Sequence, residues 1–450
     1  MKKERIIIPA ILLTLIAFGV PAAWAHVSFQ CPCLDEDPAS VDNLVKANGN
    51  IECNIGARNI ACKHITAGDG FAQMADRTEA EPSELFIFGF HDVTYLYPPD
   101  SVYSKAEADA VVMGDGLLAA ETSAPTINVK ETQEFYLTLS TAPMPIRPDL
   151  FDPHTVHFHG FPNASTIFDG EPMVSVAINQ GASLTYYYNL TGREGTYLYH
   201  CHVEATEHMQ MGMLGNLYVR AAKDTDVAPN RYVYNDVDSS TRFDVEFPIQ
   251  VISMDPRFHD ANQDIQPLPF AAMLDTYPLI NGRGYPDTIN PGFLPVPQQK
   301  IDERAVRGFP DTPLNTHSSQ KLPSLITATQ GERILIRLSS VATVDLYTIS
   351  AGGLPMQIVG KDSRIFRGRG EPAGTPLYQT VNSINIGGGE SYDVIIDTRG
   401  PDGILGNADD VAPGTYFLYS TNLNELTNEL QDFGGMMTEI VIRTQPNGAI

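Results

Sequence analysis

Gly195-Thr-Tyr-Leu-Tyr-His-Cys-His-Val-Glu-Ala-Thr-Glu-His-Met-Gln-Met-Gly-Met213 is the stretch from which the rest of the chain can be read. Tyr197 to His202 alternate and carry aromatics, which predicts a strand, and side chains along a strand alternate between its faces. His200 and His202 then share one face, and Cys201 takes the other. His208 and Met213 follow at a spacing that brings an imidazole and a thioether back over Cys201. A cysteine, two histidines and a weak axial methionine form the ligand set of an electron-transfer copper site, so one histidine is still owed. His154-Thr-Val-His157-Phe-His159-Gly160 supplies it. In a regular strand His157 and His159 share a face and His154 has the opposite parity. His154, Cys201, His208 and Met213 then make one set, and His157, His159, His200 and His202 form a separate four-imidazole group. Zinc prefers a closed tetrahedral Cys/His set without Met, which argues against a structural zinc site.

The pattern H-x-x-H-x-H followed by H-C-H…H-x-x-x-x-M resembles the copper-bearing domain of multicopper oxidases, within the wider cupredoxin superfamily. The resemblance implies a type 1 copper on His154, Cys201, His208 and Met213. It also implies that His157, His159, His200 and His202 are the catalytic half of a type 2/type 3 trinuclear site. The step from Cys201 to His208 is two residues longer than in the usual family motif, and Met209 and Met211 also lie in that loop. Met213 keeps the family's distance from the histidine and is the expected axial ligand.

Composition narrows the partners. The chain has 29 Lys plus Arg against 54 Asp plus Glu, a net charge of −25. That balance argues against nucleic acid and anionic membranes and favours solubility. Residues 1–25 read as a secretory signal peptide. Lys2, Lys3 and Arg5 begin it, Ile6 to Val20 form the apolar stretch, and Ala23-Trp24-Ala25 is the cleavage site. No other run approaches the length of a membrane span. The protein is therefore expected to be exported, to a periplasm or the extracellular space. Of the 5 cysteines, Cys201 belongs to copper. Cys31, Cys33, Cys53 and Cys62 remain, and in an exported, aperiodic segment they read as two disulfides with three possible connectivities. A small metal site using His64 beside Cys62 is the alternative.

From Glu84 onward short strand-like runs are broken by Gly, Pro, Asp and Asn, and no amphipathic helix stands out. This predicts antiparallel sandwiches. An internal repeat sets their number. The stretch from Pro125 returns loosely from Pro323, Ile178-Asn-Gln-Gly returns as Ile386-Gly-Gly-Gly, and Gly195-Thr-Tyr-Leu returns as Gly414-Thr-Tyr-Phe. The expected fold is all-β, with two cupredoxin-like Greek-key sandwich domains. The boundaries run 1–25 signal peptide, 26–82 Cys-containing N-terminal extension, 83–222 copper-binding domain, and 223–450 second cupredoxin-like domain. Counted from the shared Gly-Thr-Tyr, Cys201 falls on Ser420, His200 on Tyr419 and His202 on Thr421, so the second domain lacks copper ligands. Residues 397–410 are an acidic, glycine-rich insertion. It reads as a solvated hairpin in preference to a calcium loop, because clustered Asp, Asn and Gly are turn chemistry.

The predicted chemistry is redox. A type 1 copper would accept single electrons through the His208 edge, and Cys201 would pass them along its backbone to His200 and His202. The His-cluster copper centre would then reduce O2. The reductant is a small molecule, phenolic or a metal ion; Glu204 and Glu207 near His208 would suit a metal ion. A full trinuclear centre in the family takes eight imidazoles, and only four stand here in pairs. Three readings follow: an oxidase completed by a neighbouring copy or by His64 and His91, a nitrite-reductase-like enzyme, and a non-enzymatic blue-copper electron carrier. The first is preferred. Two-domain copper oxidases resemble trimers with sites between subunits, so a homo-oligomer, with a trimer favoured, is expected.

Overall fold

The computed structural model describes residues 28–35, 44–45, 48–76, 83–98, 101–162, 165–294 and 318–444. The signal-peptide expectation for residues 1–25 falls outside them. The regular structure of the described chain is mostly β-strand, with few helices. Two pairs of sheets enclose two main cores. In the first sandwich a sheet containing Arg58–Gln73, Glu84–Asp92, Glu134–Thr141 and Ser183–Asn189 faces a second sheet. That second sheet has the order Ala124–Lys130, Leu214–Arg220, Gly195–His200, His157–His159. The second sandwich repeats the arrangement. Its smaller sheet runs Ile326–Thr329, Met437–Arg443, Gly414–Ser420, Tyr347–Ser350, and then Ser383–Ile386. The outermost pair is parallel in both cases, Ala124–Lys130 with Leu214–Arg220 and Ile326–Thr329 with Met437–Arg443. The loose sequence repeat thus corresponds to one strand order used twice.

The cysteine-bearing segment is integral to the first sheet. Arg58–Gln73 pairs with Glu84–Asp92 on one side and in parallel with Glu134–Thr141 on the other. Its anchorage is covalent: Cys31–Cys62 and Cys33–Cys53 are disulfides, with sequence separations of 31 and 20, and Cys201 is left free. Of the three connectivities open from sequence, this is the one formed. It removes Cys62 from any metal site beside His64.

Helices are few but more numerous than the sequence pattern suggests. Lys105–Asp115 is a helix with a capping box, Ser104 accepting from Glu107 N while the Glu107 side chain accepts from Ser104 N. Ser104-x-x-Glu107 is the sequence signature of that motif. The apolar stripe it buries is thin, only Ala108 and Val112, which is why no amphipathic pattern stands out. Pro256–Gln263 begins with proline inside the first turn and Asp255 capping Arg257 N. No described helix is long and apolar enough to cross a membrane. In the 397–410 insertion the acids cap backbone amides: Asp402 accepts from Ile404 N at 2.9 Å and Asp410 from Gly406 N at 2.7 Å. That is turn chemistry of the kind expected.

The sandwiches meet through a third apolar cluster that mixes both, with Leu198 and Leu214 beside Ile252, Leu279 and Val341. Above it, Thr196 Oγ1 donates to Asp393 Oδ1 across the junction at 2.5 Å. The strand that leads to His200 is therefore gripped from both sides.

Candidate metal centre

Two strands place the histidines. His157–His159 pairs antiparallel with Gly195–His200, His157 lying opposite His200 and His159 opposite Leu198. The regular strand expected from His154 onward is interrupted: His154 forms an isolated bridge with Ile178, and Thr155 and Val156 lie outside the ladder. Parity survives the break, because His154 N donates to Ile178 O at 3.0 Å and Ile178 N returns to His154 O at 2.9 Å. The other strand ends at His200, one residue before Cys201. Cys201 N still donates to Met213 O at 3.1 Å, which holds the cysteine on the opposite face.

On that face Cys201 Sγ lies 3.2 Å from His208 Nδ1 and 3.9 Å from His154 Nδ1. All three residues are fully buried. Their donor atoms converge within 4.8 Å of one another. The interval to His208, predicted as a loop, contains a short helix, Ala205–Gln210, entered through Glu204 in the left-handed region at φ 43°. This turn absorbs the two extra residues of the motif. Met213 N donates to His208 O at 2.9 Å, so Met213 is tied by backbone to both His208 and Cys201. Met211 is buried in the same core as Met213 and Cys201, and its carbonyl accepts from Phe88 N. Burial alone would raise the Cys201 thiol. The His208 charge and hydrogen bonds from His154 and His208 outweigh it and hold the group well below its usual range. His208 responds in the opposite sense, with burial overcome by the Cys201 charge and by Asp152, and is raised to about 10. A thiolate paired with an imidazolium in a dry pocket is ready to exchange its proton for a soft or borderline cation. Thr155 N also points at the sulfur, 3.5 Å away.

The other four histidines gather on the opposite side. Ring centroids are 5.3 Å apart for His157 and His200, 5.0 Å for His157 and His202, 5.6 Å for His159 and His200, and 5.5 Å for His200 and His202. Donor atoms of His157, His159 and His200 converge within 4.8 Å. Burial lowers the basicity of His157 and His159 and holds His200 down to about 3. These three rings are therefore neutral at physiological pH, with lone pairs free to ligate. His157 Nδ1 donates to Asp169 O at 2.6 Å and His200 Nδ1 to Cys201 O at 2.8 Å. Both bonds turn Nε2 toward the group, as outer partners of metal-binding imidazoles do. The donor sets suit copper on both sides.

The remaining described histidines do not reach this group. His64 is buried between Tyr97 OH at 2.9 Å and Ser140 Oγ at 2.7 Å. His91 is held by Glu121 at 2.6 Å and Asp115 at 3.4 Å. His259 bonds Phe86 O and Gln210 O. The expectation that His64 and His91 complete the cluster is corrected, because each ring already has a partner at both nitrogens. Among the described residues the second sandwich offers no ligand to this group either: the pair corresponding to His157 and His200 is Ser350 opposite Tyr419.

Sequence reasoning missed two contributors. Asp152 lies with its Oδ2 3.8 Å from His208 Nε2, and it joins Glu204 and His208 in a third convergence of donor atoms. Its only signal was an acid two residues before His154. Asp169 meets His157 Nδ1 with its main-chain carbonyl at 2.6 Å, and its carboxylate lies 3.6 Å from the same nitrogen. Glu207, expected near the His208 edge with Glu204, instead accepts from Asn262 Nδ2 at 2.7 Å.

Family models described as multicopper oxidase match residues 118–224 and 266–423, together more than half of the chain. The chain belongs to the multicopper oxidase family. Copper is accordingly its cofactor, and the two histidine sets are where this chain could hold it. Among curated relatives, Laccase-2 of Cryptococcus neoformans var. grubii is 26% identical over 261 residues, covering 54% of this chain and 35% of the relative. Laccase-1 of Cryptococcus neoformans var. neoformans is 27% identical over 252 residues, with 54% and 33% covered. The match spans about a third of the length of these relatives. Among solved structures, the blue copper oxidase of Nitrosomonas europaea aligns with a TM-score of 0.54 at 19% identity, covering 84% of this chain and 85% of that one. The multicopper oxidase mgLAC aligns with a TM-score of 0.53 at 17% identity, covering 86% and 87%. At these identities the likeness is one of fold, and it supports the all-β, two-sandwich architecture.

Proposed function

We propose that the protein is an exported copper-dependent oxidase. It gathers single electrons at the Cys201 site and delivers them to the four-histidine group, where O2 is reduced. The observation that best supports this reading is the position of Cys201. Its sulfur faces His154 and His208, while its chain neighbours His200 and His202 face His157 and His159. Copper supplies one-electron redox chemistry in such ligand sets. The chain's own share is to keep Cys201 a thiolate, to keep His157, His159 and His200 neutral, and to join the two groups by the peptide bonds of residues 200–202.

Reductant approaches at the His208 edge. His208 Nε2 is buried without a hydrogen-bond partner and faces Asp152. Two carboxylates beside it, Asp152 and Glu204, suit a metal ion, and Asp152 would also take the proton of a phenol. Four imidazoles are half of the set that the family's full centre uses, and His64, His91 and His259 are already engaged. We therefore place the protein in a homo-oligomer, a trimer being favoured, in which contact between copies completes the centre. Export rests on residues 1–25.

His157→Ala and His202→Ala test the reading. Each should abolish O2 consumption and leave the visible band of the Cys201 site nearly intact, because those rings lie on the other side of the backbone. Unchanged turnover in both variants would place O2 reduction away from this group, and no O2 uptake by the wild type would leave only an electron carrier. Nitric oxide release from nitrite, with no O2 uptake, would replace the oxidant.

A further inference from the structure

Away from both metal sets, His91 is buried between two acids. It lies near the end of the strand Glu84–Asp92 and is 1% exposed. Its Nδ1 meets Glu121 Oε1 at 2.6 Å, and its Nε2 meets Asp115 Oδ2 at 3.4 Å. Both carboxylates are themselves buried. A neutral imidazole carries one N–H and one lone pair, whereas a charged one donates from both nitrogens. Only the charged ring can therefore donate to both acids at once.

Each acid ties the ring to a different part of the fold. Asp115 ends the helix Lys105–Asp115, whose last turn has no basic residue of its own. An acid there faces the negative pole of the helix, and a cation beside it is stabilising. The Tyr95 hydroxyl donates to the same Asp115 oxygen, and Tyr95 is 46% exposed, so water reaches this end of the group. Glu121 lies between that helix and the strand Ala124–Lys130, and it also accepts from Lys321 Nζ at 2.7 Å. Beside this ion pair Thr122 N donates to Ser319 O at 2.8 Å, and Gln320 Nε2 donates to Gln73 O at 2.9 Å. Glu121 thus sits where the two sandwiches meet. The other neighbours bring no free charge to the ring. Thr66 lies opposite it in the adjacent strand, Asp92 is paired with Lys63 at 2.5 Å, and the Tyr199 hydroxyl donates to Pro125 O at 2.6 Å. Burial works against a charge on His91, as does Lys321, but the bonds to Asp115 and Glu121 outweigh both and raise the ring above its ordinary 6.5.

We propose that His91 is a pH-sensitive clamp: charged, it holds the last turn of the helix Lys105–Asp115 to the sandwich junction at Glu121, and loss of its proton at alkaline pH lets that turn go. The neutral ring keeps one N–H for the shorter contact, to Glu121, which also keeps Lys321. Asp115 then faces a lone pair at a helix end that already disfavours negative charge. The sign follows from the direction of the shift. Because the folded protein raises the ring, the stabilisation is complete below pH 6.5 and is lost as pH rises through the raised value. The clamp is independent of copper, since none of its members is among the proposed ligands.

Asp115→Asn is the main test, because the amide accepts from a charged ring and donates to a neutral one. Ring-nitrogen NMR on the purified protein, kept reduced, should find His91 more than half charged at pH 6.5 and should find its titration moved down in Asp115→Asn. Hydrogen exchange read by mass spectrometry, corrected for the chemical effect of pH on exchange, should show residues 105–117 losing protection as the wild-type ring deprotonates. In Asp115→Asn that protection should stay level across the same range. His91→Gln should lack it at both ends; where that variant does not fold, Asp115→Asn and the ring signal decide. A wild-type His91 less than half charged at pH 6.5 would overturn the proposal. So would a loss of helix protection that follows the same pH course in wild type and Asp115→Asn.

Discussion

Cys201 separates two kinds of histidine, and its own neighbours decide which is which. His154 and His208 offer Nδ1 to the sulfur, whereas His157 and His200 have Nδ1 committed to carbonyls and offer Nε2. Residue types and parity were enough to sort the sets, since strand alternation survives one irregular step. Met213 is the axial ligand we propose: Met213→Leu should keep the colour and raise the reduction potential in a redox titration, because a weak donor to Cu(II) is lost. A rise caused by Met211→Leu in its place would mean the ligand is Met211. His64 gives a second prediction at this scale. Burial holds it down to about 3 from an ordinary 6.5, so the fold favours the neutral ring. Its contribution is complete above pH 6.5 and is lost as pH falls toward about 3. The melting temperature of metal-free protein should fall across that window, and His64→Gln should flatten part of the slope. What sequence could not disclose were acids brought to the rings by the fold, such as Asp169 and Asp152.

Among the elements, the strands were legible and the helices were not. Alternation of large apolar residues marks each strand of the copper-side sheet, and the turn residues between them mark its ends. The helix Lys105–Asp115 buries little beyond Ala108 and Val112, so its stripe is too thin to read, and only Ser104 and Glu107 announce it. The helix Ala205–Gln210 is shorter than two turns and is set by Glu204 and by the need to return His208 to Cys201. The disulfides illustrate another limit. Their number could be read from compartment logic, but pairing depends on how Arg58–Gln73 folds back along Ile51–Ile55. Non-reduced mature protein should weigh four hydrogens less than its thiol count implies, with Cys201 alone reactive after unfolding. Replacing Cys33 and Cys53 together by serine should cost about 2–4 kcal/mol of stability in denaturant unfolding, the range expected for closing loops of this size. No loss of stability would mean that the segment is held by packing alone.

The whole molecule is one sandwich used twice, with chemistry kept in the first copy. The same strand order recurs in both smaller sheets, and the cluster positions of the second have become Ser350 and Tyr419. Duplication was visible from three short echoes in the sequence. The difference between the two copies was visible in the sequence only as missing histidines. The net charge of −25 should make association between copies stronger as ionic strength rises, since like-charged surfaces are then screened. Mass in solution measured across a salt series would check this, and a strictly monomeric protein with full oxidase activity would rule out completion of the centre by a second copy. The central claim is that Cys201 joins two copper centres in one chain. Copper content and electron paramagnetic resonance on purified protein, wild type beside Cys201→Ser, test it most directly. The account predicts more than one copper per wild-type chain, and loss of the visible band and type 1 signal in the variant with copper retained at the four histidines. A visible band that survives in Cys201→Ser, or a single copper per wild-type chain, would contradict it.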